Sequence, residues 1–261
     1  MNVPNIYGAE TIPPDDRPLI NGKPPEVAAH SVVYAIGDIH GRLDLLRALY
    51  DQIERDAHQQ DVEHRVIVHL GDYIDRGPNT KDVIDTFCTT PLSGFENHWL
   101  LGNHEHDMLQ FLDGVRTAAR WLSNGGRETL GSYGITLSEA RADSETLEQV
   151  RSELAANLPP DHLQFLNTLE QSYENGDYLF VHAGLRPGVS IEAQSAFDML
   201  WIRRPFLTST EDFGKIVVHG HSPHRRPETR SNRIGIDTGA YRTGHLTSLI
   251  LRDTKRHFLQ T

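Results

Sequence analysis

Five times along this chain an apolar run ends at a short stretch that combines glycine with Asp, Asn or His. Ser31-Val32-Val33-Tyr34-Ala35-Ile36 leads into Gly37-Asp38-Ile39-His40-Gly41, and Val66-Ile67-Val68-His69-Leu70 into Gly71-Asp72-Tyr73-Ile74-Asp75-Arg76-Gly77. His98-Trp99-Leu100-Leu101 leads into Gly102-Asn103-His104-Glu105. Tyr178-Leu179-Phe180-Val181 leads into His182-Ala183-Gly184, and Ile216-Val217-Val218 into His219-Gly220-His221. A short Val- and Ile-rich run that ends at glycine reads as a buried strand entering a tight turn. Polar groups at the carboxyl ends of such strands stand where α/β proteins hold their ligands. One Asp-x-His pair is an ordinary surface turn, but five such turns point to one shared site of oxygen and imidazole donors.

The segments between these turns are expected to be helical. From Arg42 to about His58, Leu43, Leu46, Leu49, Tyr50 and Ile53 recur at i, i+3, i+4 spacing. A second helix is expected from about Thr80 to Phe87, and a third beginning near Glu105. Strands alternating with helices imply an α/β fold. The regularity breaks at Gly114, and Trp121-Leu122-Ser123-Asn124-Gly125-Gly126 and Gly131-Ser132-Tyr133-Gly134 read as irregular loop or cap. Two helical patterns follow, at 144–156 and 160–171, so an insert over about 114–172 is either a lid beside the site or a stabilising patch. Strands are expected at 178–181, 215–219, 233–237 and 245–251, which suggests two packed sheets flanked by helices. Residues 1–30 hold six of the fourteen prolines and no apolar periodicity, the pattern of an extended arm. Residues 31–261 are then expected to form a single domain with that insert.

With 261 residues and a net charge of −11, the chain can bury a full core but offers no general nucleic-acid-binding surface. A small anionic substrate stays compatible with that charge, because divalent cations reverse the local sign. The single cysteine, Cys88, cannot form an internal disulfide, and its apolar neighbours suggest a buried structural thiol. No apolar run approaches the ~20 residues of a membrane span, so no membrane partner and a cytoplasmic location are expected. Fifteen histidines prompt a search for metal ligands.

Taken in order, Gly-Asp-Ile-His-Gly, Gly-Asp-Tyr-Ile-Asp-Arg-Gly, Gly-Asn-His-Glu, Val-His-Ala-Gly and His-Gly-His resemble the motifs of calcineurin-like metallophosphoesterases. The complete Gly-Asp-x-x-Asp-Arg-Gly and Gly-Asn-His-Glu are similar to those of the bacterial phosphoprotein phosphatase branch. The resemblance runs from about residue 31 to 251 and implies a four-layer αββα sandwich with two divalent metals. It implies that Asp38, His40 and Asp72 bind one ion and that Asp72, Asn103, His182 and His221 bind the other, with Asp72 bridging. His221 rather than His219 follows Gly220 as the family ligand does. His219 would then lie behind the ligands or in the core, and His224 could also approach the site. Mixed N/O donors suit Mn, Fe or Zn better than Ca, with Mn preferred.

The reaction implied is hydrolysis of a phosphoester by a water activated between two cations. By resemblance His104 is the general acid, Asp75 its orienting partner, and Arg76 a planar fork for phosphate oxygens. The bland alternative for Arg76 is an ion pair with Asp75. Trp201-Ile202-Arg203-Arg204 resembles the segment that supplies a second arginine, which makes Arg203 the candidate over Arg204. Asn103 also stands in the substrate-contact set. The excess of arginine at Arg225, Arg226, Arg230 and Arg233 reads as a solvated loop. Asp237-Thr238-Gly239-Ala240-Tyr241 is either a site-facing turn or a plain strand end, and His69 and His98 read as core residues. The expected activity is a serine/threonine protein phosphatase, with phosphotyrosine left open, acting as a monomer on phosphorylated protein or peptide. The alternative is a dinucleoside polyphosphate hydrolase, which shares these motifs.

Overall fold

Side-chain alternation decides the layering. Along the first strand, Ser31–Ile36, residues Val32, Tyr34 and Ile36 pack in one apolar cluster, while Val33 and Ala35 pack in another. Both faces are buried, as in a strand inside a multi-layer α/β protein. The computed structural model describes residues 18–137 and 142–261.

The first half of the chain runs β1 (Ser31–Ile36), α1 (Leu43–Ala57), β2 (His64–His69), α2 (Thr80–Thr89), β3 (Glu96–Trp99) and α3 (Asn103–Asp113). It continues through α4 (Ala118–Trp121), α5 (Arg127–Ser132), α6 (Ser144–Asn157) and α7 (Pro160–Asn167). The second half runs β4 (Ser172–Asn175), β5 (Tyr178–Val181), α8 (Ala196–Trp201), α9 (Arg204–Leu207) and β6 (Ile216–His219). After it come β7 (Glu228–Thr229), β8 (Arg233–Gly235), α10 (Ala240–Thr243), β9 (Thr247–Arg252) and β10 (Lys255–Gln260).

One five-stranded sheet has the order β10-β9-β1-β2-β3 and the other β4-β5-β6-β8-β7. In the first, β1, β2 and β3 are parallel, and β9 and β10 return antiparallel. In the second, β5, β6 and β8 are parallel between antiparallel edges. The two sheets face each other through Val33, Ala35, Val66, Val68, Leu249 and Leu251 on one side and Tyr178, Phe180, Ile216, Val218 and Ile234 on the other. Helices α1, α2 and α3 cover the outer face of the first sheet, and α8 and α9 cover the second through Met199, Ile202 and Phe206. This is the expected αββα sandwich. No helix among the described residues is long and apolar enough to cross a membrane.

Three strands escaped the sequence reading, namely β4, β7 and β10. All three are sheet edges, half open to solvent, so none carries the continuous apolar run of an interior strand. The segment expected to be irregular at 121–126 is instead helical. Leu122–Gly126 joins α4 to α5 as a π-type turn, with a kink at Gly125 (φ 115°). The helix expected at 160–171 stops at Asn167, and Glu170 bridges to Leu100. Of the proline-rich arm, residues 1–17 lie outside the described residues. The remainder packs on the sandwich: Val27 is buried against the inter-sheet core, and Ala28 N–H donates to Asn175 Oδ1 at 2.8 Å. Cys88 is partly buried rather than enclosed, with Sγ 3.7 Å from the Asp161 carbonyl.

The inter-sheet layer should dominate stability. Phe180 is fully buried there, so Phe180→Ala should lower the unfolding free energy by about 3–5 kcal/mol. Urea denaturation with an unchanged m value would measure this, and a loss below about 1 kcal/mol would show that the layer collapses around the gap.

Candidate active site

The parallel strands β1, β2, β5 and β6 all end at the same edge of the sandwich, and their turns meet there. Five of the eight non-glycine residues with positive φ among the described residues lie in these turns: His40, Asp72, Asp75, Arg76 and His221. Left-handed backbone at such residues is costly, and such conformations cluster at functional sites. Gly220 has a steric reason, because a Cβ there would collide with the Asp38 carboxylate. That close approach lets the His221 N–H donate to both Asp38 oxygens, at 3.2 and 3.1 Å.

Asp72 sits at the centre, with its two oxygens turned to different neighbours. Oδ1 lies 3.4 Å from His182 Nε2, and Oδ2 lies 3.6 Å from His40 Nε2. Two buried donor groups consequently share Asp72: one with His40 and His104, the other with His182 and His221. Asn103 completes the second group, its Oδ1 lying 3.0 Å from His182 Nε2 and 2.7 Å from His221 Nδ1. His40 donates Nδ1–H to the Ile74 carbonyl (2.8 Å) and His182 donates Nδ1–H to the Leu70 carbonyl (2.7 Å). Each bond leaves the Nε2 lone pair pointing into the site, the tautomer that a metal-ligating histidine requires.

The electrostatics match a cation site. Burial pushes the Asp38 carboxyl well up, with the Asp237 and Asp72 charges adding to it. Burial likewise raises Asp237 to about 6. Burial also works against an ionised Asp72, but the surrounding imidazoles, led by His182 and His104, hold it below the usual carboxylate range. Burial drives His40 and His182 towards neutrality and pushes His221 down to about 2. Carboxylates, an amide oxygen and neutral imidazole lone pairs thus converge, most of them acceptors facing acceptors. Divalent cations of the Mn, Fe or Zn type fit this donor set. Asp38 stands at the rim of that cluster, on the His221 N–H and beside Asp237.

His104 is oriented differently from the other rings. Its Nδ1 bonds Asp75 Oδ2 at 2.6 Å, and Asp75 also accepts from Trp121 Nε1 (3.1 Å) and Thr129 Oγ1 (2.5 Å). Burial opposes a charged ring, but the carboxylates of Asp72 and Asp75 outweigh it and push His104 up to about 9. Arg76 makes no ion pair with Asp75. Its Nη1 donates to His40 Nε2 at 2.9 Å, and its Nη2 lies 3.1 Å from His104 Nε2. The guanidinium carbon stands 4.7 Å from the Tyr241 ring centre. Arg203 reaches the opposite side, donating Nε–H to His221 Nε2 at 3.1 Å, while Arg204 is exposed.

Several sequence expectations resolve here. His219 is a core residue, fully buried with its ring against Phe206 on the outer face of the sheet. His224 is exposed and does not approach the metal cluster. His69 is buried and bonds Tyr50 through Nε2 at 2.7 Å. His98 differs from the core reading, because it is partly open, stacked on Tyr173 and flanked by Glu96 and Glu170. Arg233 departs from the solvated-loop reading, since it is buried in β8 and paired with Glu228.

The turn at 237–241 faces the site through Asp237 and Tyr241. The helices of the insert form a wall of it, because Trp121 and Thr129 hold Asp75 and the Asn124 carbonyl accepts from Arg76 Nε at 3.4 Å. Sequence reasoning assigned no role to Glu105, Trp121, Thr129 or Tyr241. Glycines 125 and 126 beside Trp121 were the available signal of a close approach.

Two mixed sheets with carboxylates and imidazoles gathered at their strand ends define a metal-dependent phosphoester hydrolase. Residues 31–243 match the calcineurin-like phosphoesterase family, and the chain belongs to that family. It is 27% identical over 232 residues to the asymmetrical bis(5'-nucleosyl)-tetraphosphatase PrpE of Halalkalibacterium halodurans, covering 82% of this chain and 87% of that protein. It is 28% identical over 220 residues to serine/threonine-protein phosphatase 1 of Salmonella typhimurium, covering 82% and 89%. Among solved structures, a protein described as a candidate diadenosine tetraphosphatase superposes with TM-score 0.61 at 18% identity, over 90% of this chain and 98% of that one. A cold-active protein-tyrosine phosphatase of a Shewanella species superposes with TM-score 0.51 at 15% identity, over 90% and 83%. These two structures share the fold.

The carboxylate cluster makes a prediction about pH. In chelator-treated protein, the raised Asp237 contributes stability that is present below its ordinary value of 3.8 and lost as pH rises through about 6. Added Mn²⁺ compensates the carboxylate charge, so its thermal stabilisation should be larger at about pH 7 than at about pH 5. Thermal unfolding with EDTA or Mn²⁺ at both pH values would measure this, and equal shifts would remove the cluster as the cause.

Proposed function

We propose that the protein is a phosphomonoesterase acting on phosphoserine and phosphothreonine in proteins or peptides. The observation that carries this reading is the buried His104–Asp75 pair. An alkoxide leaving from a serine or threonine ester is strongly basic and needs a proton as the P–O bond breaks. A nucleotide leaving from a phosphoanhydride needs far less help. An imidazole whose affinity for a proton is raised by a carboxylate 2.6 Å from its Nδ1 suits the first task.

Asp38, His40 and Asp72 would hold one cation, and Asp72, Asn103, His182 and His221 the other. When bound, the two cations supply Lewis-acid charge for the phosphoryl oxygens and an activated water, with Mn²⁺ our preferred metal. His104 holds a proton for the leaving oxygen, and Asp75 keeps its ring in place. Arg76 and Arg203 approach from opposite sides and would engage phosphate oxygens, where planar forks bind bidentately. Asn103 contributes beside them. The protein would act as a monomer in the cytoplasm.

A second reading, dinucleoside polyphosphate hydrolysis, is favoured by the PrpE relatives. The two separate in one assay with Mn²⁺, comparing phosphoserine, phosphothreonine and phosphotyrosine peptides with diadenosine tetraphosphate. We expect the peptides to lead by about a hundredfold in kcat/KM. The reverse preference would replace the phosphatase reading by the second.

His104→Asn should slow hydrolysis of a phosphoserine peptide by at least about a hundredfold. p-Nitrophenyl phosphate, whose leaving group hardly needs a proton, should lose much less. Equal losses on both substrates would count against the acid role.

A further inference from the structure

Phe197 is the most exposed large apolar side chain among the described residues, at 65%. It lies one turn from Trp201 on α8, and the two rings stack at 6.2 Å with 23° between their planes. Trp201 in turn packs edge-on against His221, ring centres 6.3 Å apart. The aromatic pair is therefore continuous with the candidate active site. Arg120 caps Trp201, its guanidinium carbon 5.0 Å from the ring centre, and is itself neutralised by Asp107. Arg203, two residues beyond Trp201, lies on the same flank of His221.

We propose that Phe197 and Trp201 form a substrate subsite that takes an aromatic side chain of the phosphopeptide. The proposal rests on the phosphatase reading above. The path from His221 to Phe197 spans at most those two ring-to-ring steps. An extended peptide advances about 3.3 Å per residue, so the aromatic residue lies two to four positions from the phosphorylated one.

The occupant is neutral, because Asp107 already balances Arg120, the cation that caps Trp201, and Arg203 is turned to His221 and the reacting phosphate. It is a side chain rather than a nucleobase, because Gln194 and Ser195, the polar residues that lead into α8, direct their side-chain hydrogen bonds back onto the protein. Gln194 Nε2 donates to the carbonyls of Arg186 (3.0 Å) and Val189 (2.8 Å), and Ser195 Oγ bonds Asp198 at 2.9 Å. Neither is left to read the edge of a base, so stacking is the recognition on offer.

The test uses phosphothreonine peptides that carry Phe or Ala two, three or four residues from the phosphate, on either side. Wild type and Phe197→Ala are each assayed with Mn²⁺, with p-nitrophenyl phosphate as the reference. In wild type, Phe at one of these positions should raise kcat/KM by about fivefold to tenfold. Phe197→Ala should abolish that advantage while leaving p-nitrophenyl phosphate turnover unchanged. Phe197→Tyr should restore it, since the stacking face is kept. If all peptides are hydrolysed equally well by wild type, the subsite is overturned and the phosphatase reading stands. If no peptide is hydrolysed, but diadenosine tetraphosphate is and Phe197→Ala weakens its turnover, the platform serves a base. Both the proposal and the phosphatase reading then fail.

Discussion

The geometry of the site depends on one buried carboxylate that need not touch substrate or metal. Glu105 is fully buried and accepts four backbone N–H groups: Gly102 at 3.1 Å, Asp72 at 2.9 Å, Tyr73 at 2.8 Å and Ile74 at 3.1 Å. It closes the N-terminus of α3 and grips the turn after β2 with the same two oxygens. Burial and the nearby Asp72 charge push its carboxyl up to about 8, but both oxygens face only N–H donors, an arrangement that suits the anion. Hydrogen bonds to a charged acceptor contribute about 1.5–3 kcal/mol each, so the four together exceed the ~1–3 kcal/mol cost of a single strained residue. Asp72 can therefore be held in left-handed backbone, and Asn103 and His104 enter the site on the first turn of a fixed helix.

Strain elsewhere in the site is contained in the same manner. The Asp75 N–H is shared by Thr80 Oγ1 and Thr129 Oγ1, and the Arg76 N–H is held by the Gly125 carbonyl at 3.2 Å. Both residues have positive φ, and each is tied to a helix distant in sequence. The kinked helical segment between α4 and α5 thus supplies contacts that the β2 turn cannot make for itself. A buried aspartate oriented by an indole, a hydroxyl and an imidazole has little freedom, and its ring partner inherits that order.

Charge explains how an acidic chain can bind an anion. The net charge of −11 describes the whole surface, whereas the site gathers Asp38, Asp72 and Asp237 in a space that demands cations. Loaded with divalent ions and flanked by Arg76 and Arg203, the same edge becomes locally positive. Overall charge is a poor guide to the sign of a buried metal site for that reason.

Much of this was legible without coordinates. Asp38, His40, Asp72, Asn103 and His182 stand out because interior strands need apolar runs and their turns need glycine, and both leave local marks, whereas His221 is preferred to His219 through the family resemblance. Arg76 lies in the second of these turns, and Arg203 is expected from the resemblance of Trp201-Ile202-Arg203-Arg204 to the family's second arginine segment. The edge strands β4, β7 and β10 left no such marks, since a strand with one open side mixes polar and apolar residues. Nor could local pattern decide that His219 faces the core while His221 joins the donor cluster around Asp72, that Asp237 and Tyr241 turn inward, or that Trp121 and Thr129 meet Asp75. Those contacts join positions tens to almost two hundred residues apart. They depend on how two sheets and a helical insert pack, and distance in space is a quantity that local composition does not encode.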